Sequence, residues 1–200
     1  MDALKRMPEA EVSLRLAFHL IERGLAASDV QVAIDGAQVK TADTIHFGIS
    51  EFLRGLEWHK SATDDIWQGT YADAQRKPKV VIHSTPGRGD VVATLIDGRT
   101  LRVESKKGPL VGSKSSQEYP LLREALGQLL TMESVGERDL LAVAVPSSPK
   151  FEDLARRWRQ APLVSRFGIR ILTVGRDNQV SGLPEVVAPN SHSAPSSRPI

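Results

Sequence analysis

Between Lys79 and Lys106 the chain reads as three strands in succession, "KVVIHST", "DVVATLI" and "TLRVESK". Pro86, Gly87 and Gly89 break the first pair, and Asp97-Gly98 breaks the second. An Asp-Gly pair between two alternating apolar runs is a strong local signal for a hairpin. The register of that hairpin is then a matter of turn length. A two-residue Asp97-Gly98 turn pairs Ile96 with Arg99 and sets Asp90 opposite Ser105, which sends Asp90 and Glu104 to opposite faces. A three-residue Ile96-Asp97-Gly98 loop, with Gly98 in the left-handed position of a bulged turn, pairs Leu95 with Arg99 and Asp90 with Glu104. Burial chooses between them. The longer loop gathers Val91, Ala93, Leu95, Leu101 and Val103 on one face and leaves Asp90, Val92, Thr94, Arg102, Glu104 and Lys106 on the other. The shorter one mixes charges into the apolar layer. Because a one-residue slip inverts every side chain, the longer loop is the expected one.

Helical and strand signals frame this block. Glu9 to Arg23 carries Leu14, Phe18, Ile21 and Leu25 as one apolar stripe, with Gly24 as its stop. "VQVAIDGAQV" alternates up to an Asp-Gly pair and predicts a short hairpin. A second helix is expected from Ala42 to Leu56 through Ile45, Ile49, Phe52 and Leu56, and Trp58 to Pro78 has no period and reads as a loop. "SSQEYPLLREALGQLLTME" predicts a helix with Leu122, Ala125, Leu126 and Leu129 inward, and "RDLLAVAVP" a central strand buried on both faces. A helix from Phe151 to Gln160 and the strand "IRILTV" complete the order, which predicts an α/β fold with a mixed central sheet and helices on both faces. Residues 1–41 read as an N-terminal helix-and-hairpin elaboration and residues 42–183 as the core. The Pro- and Ser-rich residues 184–200 read as a disordered tail.

Composition removes several kinds of chemistry. There is no cysteine, so thiolate metal sites and cysteine nucleophiles are excluded. The five histidines, His19, His46, His59, His83 and His192, lack the spacing of a zinc site. Neither a phosphate-binding Gly-x-x-x-x-Gly-Lys loop nor a Gly-x-Ser-x-Gly elbow occurs. No apolar run approaches the roughly 20 residues that cross a bilayer. The opening segment carries Glu9, Glu11 and Arg15 where a signal peptide is apolar, so a cytoplasmic location with no membrane partner is expected. Three basic groups, Arg76/Lys77/Lys79, Lys106/Lys107/Lys114 and Arg156/Arg157/Arg159, have the charge to neutralise phosphates, or to serve as solvated faces.

Two carboxylates about 5 Å apart on neighbouring strands repel unless a cation or a proton lies between them. One reading is a structural ion cluster, with Arg102 and Lys106 as partners. The other is a divalent cation held by Asp90 and Glu104, with Lys106 pointing at the same substrate. Hard oxygen ligands with positions left for water and phosphate suit Mg²⁺, with Mn²⁺ as a substitute.

Asp90 followed by Glu104-Ser105-Lys106 on the next strand resembles the PD-(D/E)XK nucleases, the restriction endonuclease-like superfamily. The proline-aspartate pair is loosened, Pro86 preceding Asp90 by four residues in "PGRGD". The helix "LLREALGQLL" is similar to the one that follows the Glu-x-Lys strand in that family, and Gln128 matches a glutamine it often supplies. The element order over residues 42–145 resembles the family's α-β-β-β-α-β core. The resemblance implies that Asp90, Glu104 and the Ser105 carbonyl hold the metal, that Lys106 orients or deprotonates the attacking water, and that Gln128 supports phosphate or water. An acid from the first core helix is also implied, with Glu22, Glu51 and Glu57 as candidates. The expected activity is a Mg²⁺-dependent endonuclease acting on DNA rather than RNA, in restriction, phage defence or repair, leaving a 5′-phosphate. Severing a duplex takes a second site, hence a homodimer or larger complex. The alternative is a catalytically silent nuclease-like fold that binds nucleic acid or serves assembly.

Overall fold

The computed structural model describes residues 5–64, 66–111 and 117–188. In chain order its elements are β1 (Arg6–Met7), α1 (Glu9–Glu22), β2 (Val30–Ala33), α2 (Gly36–Val39), β3 (Lys40–Thr41), β4 (Thr44–Ile45), α3 (Ile49–Arg54), β5 (His59–Lys60), β6 (Gly69–Ala72) and β7 (Val80–His83). There follow β8 (Val91–Thr94), β9 (Thr100–Ser105), β10 (Gly108–Pro109), α4 (Glu118–Leu130), β11 (Asp139–Pro146), α5 (Pro149–Arg159), α6 (Pro162–Arg166), β12 (Arg170–Val174) and β13 (Val180–Ser181). Nine of the strands form one mixed sheet in the order β13-β12-β11-β9-β8-β2-β7-β6-β5. Among the described residues, no helix is long and apolar enough to cross a membrane.

The hairpin has the bulged register. Val91 lies against Val103, Ala93 against Leu101 and Thr94 against Thr100. The Leu95 N–H donates to the Arg99 carbonyl at 2.8 Å and the Gly98 N–H to the Leu95 carbonyl at 2.9 Å. Gly98 has φ +81°, the left-handed conformation that a bulged three-residue loop demands of its last residue. Val91, Ala93, Leu95, Leu101 and Val103 are all buried, as the apolar layer requires.

Helix α1 begins at Glu9 as its periodicity predicts, but it is buried on nearly every side from Ala10 to Ile21. It lies on the face of the sheet that presents Val30, Val32, Val80, Ile82, Val91, Leu101 and Val103, and these residues share one core. Helices α4 and α5 form a second core on the other face, with Leu122, Ala125, Leu129, Phe151 and Leu154 against Val143, Val145 and Ile171. That second layer covers the β9-β11-β12 half of the sheet. The other half of the same face presents Gln31, Ala33, Val81, His83 and Val92, all partly exposed, and Thr94, which is exposed.

Several expectations are corrected. Residues 1–41, expected as an elaboration, supply α1 and β2, which belong to the main core and the middle of the sheet. Strand β2 separates β7 from β8, parallel to the first and antiparallel to the second, so "KVVIHST" is not the hairpin partner of "DVVATLI". The Asp35-Gly36 pair makes no hairpin turn, because the Asp35 carboxylate caps α2 by accepting the Ala37 N–H at 2.9 Å. The second helix shrinks to Ile49–Arg54, since Gly48 is its N-cap and Lys40–Thr41 pairs with Thr44–Ile45 instead. The supposed loop from Trp58 to Pro78 contains β5 and β6, and Trp58 and Tyr71 are core residues. At the C-terminal end, Arg99 donates to the Glu185 carbonyl at 2.8 Å and Val186 packs against the core. Lys114 and residues 189–200 of the expected tail lie outside the described residues.

Candidate functional site

The bulged turn carries Asp90 and Glu104 to the same face of neighbouring strands, at the end where β8 begins and β9 finishes. Asp90 is fixed there by three bonds. Its N–H donates to the Val103 carbonyl at 2.7 Å, its own carbonyl accepts from Ala33 N–H at 2.8 Å, and its Oδ2 accepts from Ser105 N–H at 2.7 Å. The N–H and C=O of one strand residue point to the same side, so the Ser105 carbonyl is also turned toward β8. The Ser105 side chain points the other way, into the α1 layer, where its hydroxyl accepts from that of Ser13 at 2.9 Å.

Both carboxyls have unusual proton affinity. Burial pushes Asp90 up to about 6, against the Ser105 N–H bond, with the Glu9 charge adding to the rise and Lys106 opposing it. Glu104 is pushed up to about 7, first by burial and then by the neighbouring Asp90 charge; Lys106 opposes this and Glu9 adds to it. Among the described residues neither carboxylate has an ion-pair partner within 4 Å. Arg102, expected as a structural partner, binds Asp139 at 2.6 Å instead. Such a pair, short of positive charge and poised near neutrality, is what a divalent cation would complete.

Lys106 is only 5% exposed. It lies just past the end of β9, where elements of both layers reach it: Glu9 from α1 at 3.6 Å and Glu124 from α4 at 3.4 Å. Glu9 is held in turn by the Gln38 amide at 3.1 Å and the Lys107 N–H at 3.4 Å. A cleft of about 860 Å³ opens over this cluster, lined in part by Arg6, Gln38, His46, Lys107 and Leu121.

The α1 carboxylate that reaches Lys106 is thus Glu9, not one of the three acids expected. Glu22 lies at the other end of α1, about 20 Å away at 1.5 Å per residue, and accepts from the Asn178 amide at 3.3 Å. Glu51 and Glu57 are exposed on α3 and the turn after it. Nothing local marks Glu9. It reaches the site because β1, just before it, pairs with β10, just after Lys106, Arg6 lying against Pro109 and Met7 against Gly108. Gln128 is exposed one helical turn beyond Glu124 on α4. Met132, beyond the end of that helix, approaches Gly89, so α4 runs from Lys106 toward the approach to Asp90 and carries Gln128 between them.

Among the described residues no group of three or more His, Asp or Glu side chains is arranged to hold an ion. The donors on offer are two carboxylates and a backbone carbonyl, a set that leaves most of an octahedral shell to water and substrate. No family model, curated protein or solved structure matches the chain.

Proposed function

We propose that this chain is a Mg²⁺-dependent phosphodiesterase that cleaves nucleic acid, DNA in the first instance, on a restriction endonuclease-like fold. One observation carries the reading. Asp90 and Glu104 share a face, hold protons up to about 6 and 7, have no ion-pair partner among the described residues, and stand beside a buried lysine. The order α1–β2–β8–β9–α4–β11 supports the fold, since β2, β8 and β9 are successively antiparallel and β11 is parallel to β9.

Asp90, Glu104 and the Ser105 carbonyl would hold the ion. When bound, it supplies a Lewis acid for the phosphate and lowers the pKa of the attacking water. The protein's own groups do the positioning. Ser105 N–H fixes one oxygen of Asp90 and leaves the other to ligate. Glu9 and Glu124 hold Lys106 in place, so that it orients water and offsets charge developing on the phosphate. Gln128 faces the same side of α4 and would meet phosphate or water.

The ion pairs of Lys106 favour a second reading, a silent nuclease-like fold used for binding or assembly, in which the lysine is only a structural link between layers. Nicking of supercoiled plasmid across a Mg²⁺ titration separates the two. We expect cleavage that requires the metal and is abolished by Glu104→Ala with the circular dichroism spectrum unchanged. Cleavage retained in that variant would refute this site.

A further inference from the structure

A second cavity, of about 390 Å³, lies on the partly exposed half of the sheet and is lined by Gly89 and Val92, which flank Asp90 in the chain. Its floor is made by Gln31, His83 and Val92 on three adjacent strands, with Gln31 directly opposite Val92. Its wall is the loop Thr85–Gly89, which runs straight into Asp90. Two glycines give that loop its shape: Gly87 and Gly89 have φ +108° and +98°, conformations that other residues rarely adopt. Gly89 also lies so close to β9 that a Cβ would meet the Val103 carbonyl at 3.0 Å. Between them Arg88 is exposed at the rim, and among the described residues it makes no ion pair.

These features suit one kind of occupant. The Gln31 amide and the His83 ring offer hydrogen bonds to a base edge, Val92 and Pro86 an apolar surface for its face, and Arg88 a cation for its phosphate. The volume is near the low end of small-molecule sites, roughly 300–1,000 Å³. A base stacked and paired inside a duplex cannot enter such a space; it has to be unpaired first. We propose that this pocket receives one unpaired nucleotide next to the scissile phosphate, so that the substrate is single-stranded or frayed nucleic acid. The inference rests on the phosphodiesterase reading of Asp90 and Glu104, since their phosphate is what the pocket would flank. It also removes the need for a second site, because one site suffices to cut one strand.

The test uses Glu104→Gln protein, which should hold DNA uncut, and fluorescence anisotropy with a short labelled single strand and the blunt duplex made from it. The single strand should bind at least about tenfold more tightly, stacking and edge contacts to one base being worth that much. Adding Val92→Trp, which fills the cavity from a partly exposed position, should abolish the preference; Thr94→Trp, on the same strand and face but outside the cavity, should not. Equal binding of the two DNAs, or a preference untouched by Val92→Trp, would overturn the pocket. The catalytic reading is scored separately, by wild-type cleavage of the same oligonucleotides: indiscriminate cutting would leave the active site standing and the pocket refuted. Preferential, Val92-sensitive binding without cutting would do the reverse.

Discussion

Asp90 and Glu104 bind protons more tightly in the fold than in an unfolded chain, where their values return to about 3.8 and 4.5. Below about pH 3 most of the protons are in place in both states. As pH rises toward 7, the unfolded chain releases protons that the fold retains, so these groups make stability fall. Above about 8 both states are ionised and the penalty is constant. Wild type in EDTA should therefore lose melting temperature between pH 4.5 and 8 relative to an Asp90→Asn/Glu104→Gln double variant, which should be the more stable protein at pH 8. The gap should be several degrees, at about 2–4 °C per kcal/mol for a chain of this size. Mg²⁺ at pH 8 should raise the wild type alone. A gap independent of pH would show that the two carboxyls titrate normally. At this scale the sequence was informative: alternation and an apolar layer sufficed to put both acids on one face. It could not reveal their proton affinities, which depend on the burial supplied by distant segments.

The bulged hairpin is the element that places the pair, and two glycines mark its ends. Gly98, at φ +81°, has room for a methyl group: a Cβ there would meet only the Arg138 guanidinium, at 3.7 Å. Gly98→Ala should therefore cost the left-handed backbone penalty alone, about 1–2 kcal/mol. Gly89 combines φ +98° with the close Val103 carbonyl. Gly89→Ala should destabilise more and, by shifting the loop that leads into Asp90, weaken Mg²⁺ binding in calorimetry, while Gly98→Ala leaves binding intact. Equal Mg²⁺ affinity in the two variants would show that the loop does not position Asp90. The turn was legible because a two-residue period and an Asp-Gly signal are local. The neighbours of β8 were not, because nothing in "KVVIHST" or "VQVAI" records which of two similar apolar strands lies beside it. Asp35-Gly36 misled for a related reason: the same pair that turns a hairpin also caps a helix.

At the scale of the whole molecule, α1 joins the two ends of the described chain. Glu11 accepts from Arg15 at 2.8 Å and from Arg176, in the β12–β13 connection, at 3.1 Å. Arg15 also donates to the Asn178 side chain at 2.9 Å, and Arg176 to the Arg6 carbonyl at 2.8 Å. Glu11→Ala would leave the buried Arg15 without its carboxylate, and urea denaturation should register a loss of about 3–5 kcal/mol. A loss under about 1 kcal/mol would mean that solvent reaches Arg15. The sequence by itself determined the strands of the 79–106 block, the register of its hairpin, the faces of its side chains and the start of α1, because periodicity and turn chemistry act over a few residues. Tertiary structure alone decided that β2 enters mid-sheet, that Glu9 rather than Glu22, Glu51 or Glu57 meets Lys106, and that half of one sheet face stays open beside Asp90. Those outcomes depend on which apolar surfaces bury one another across long stretches of chain, and no local pattern encodes that choice.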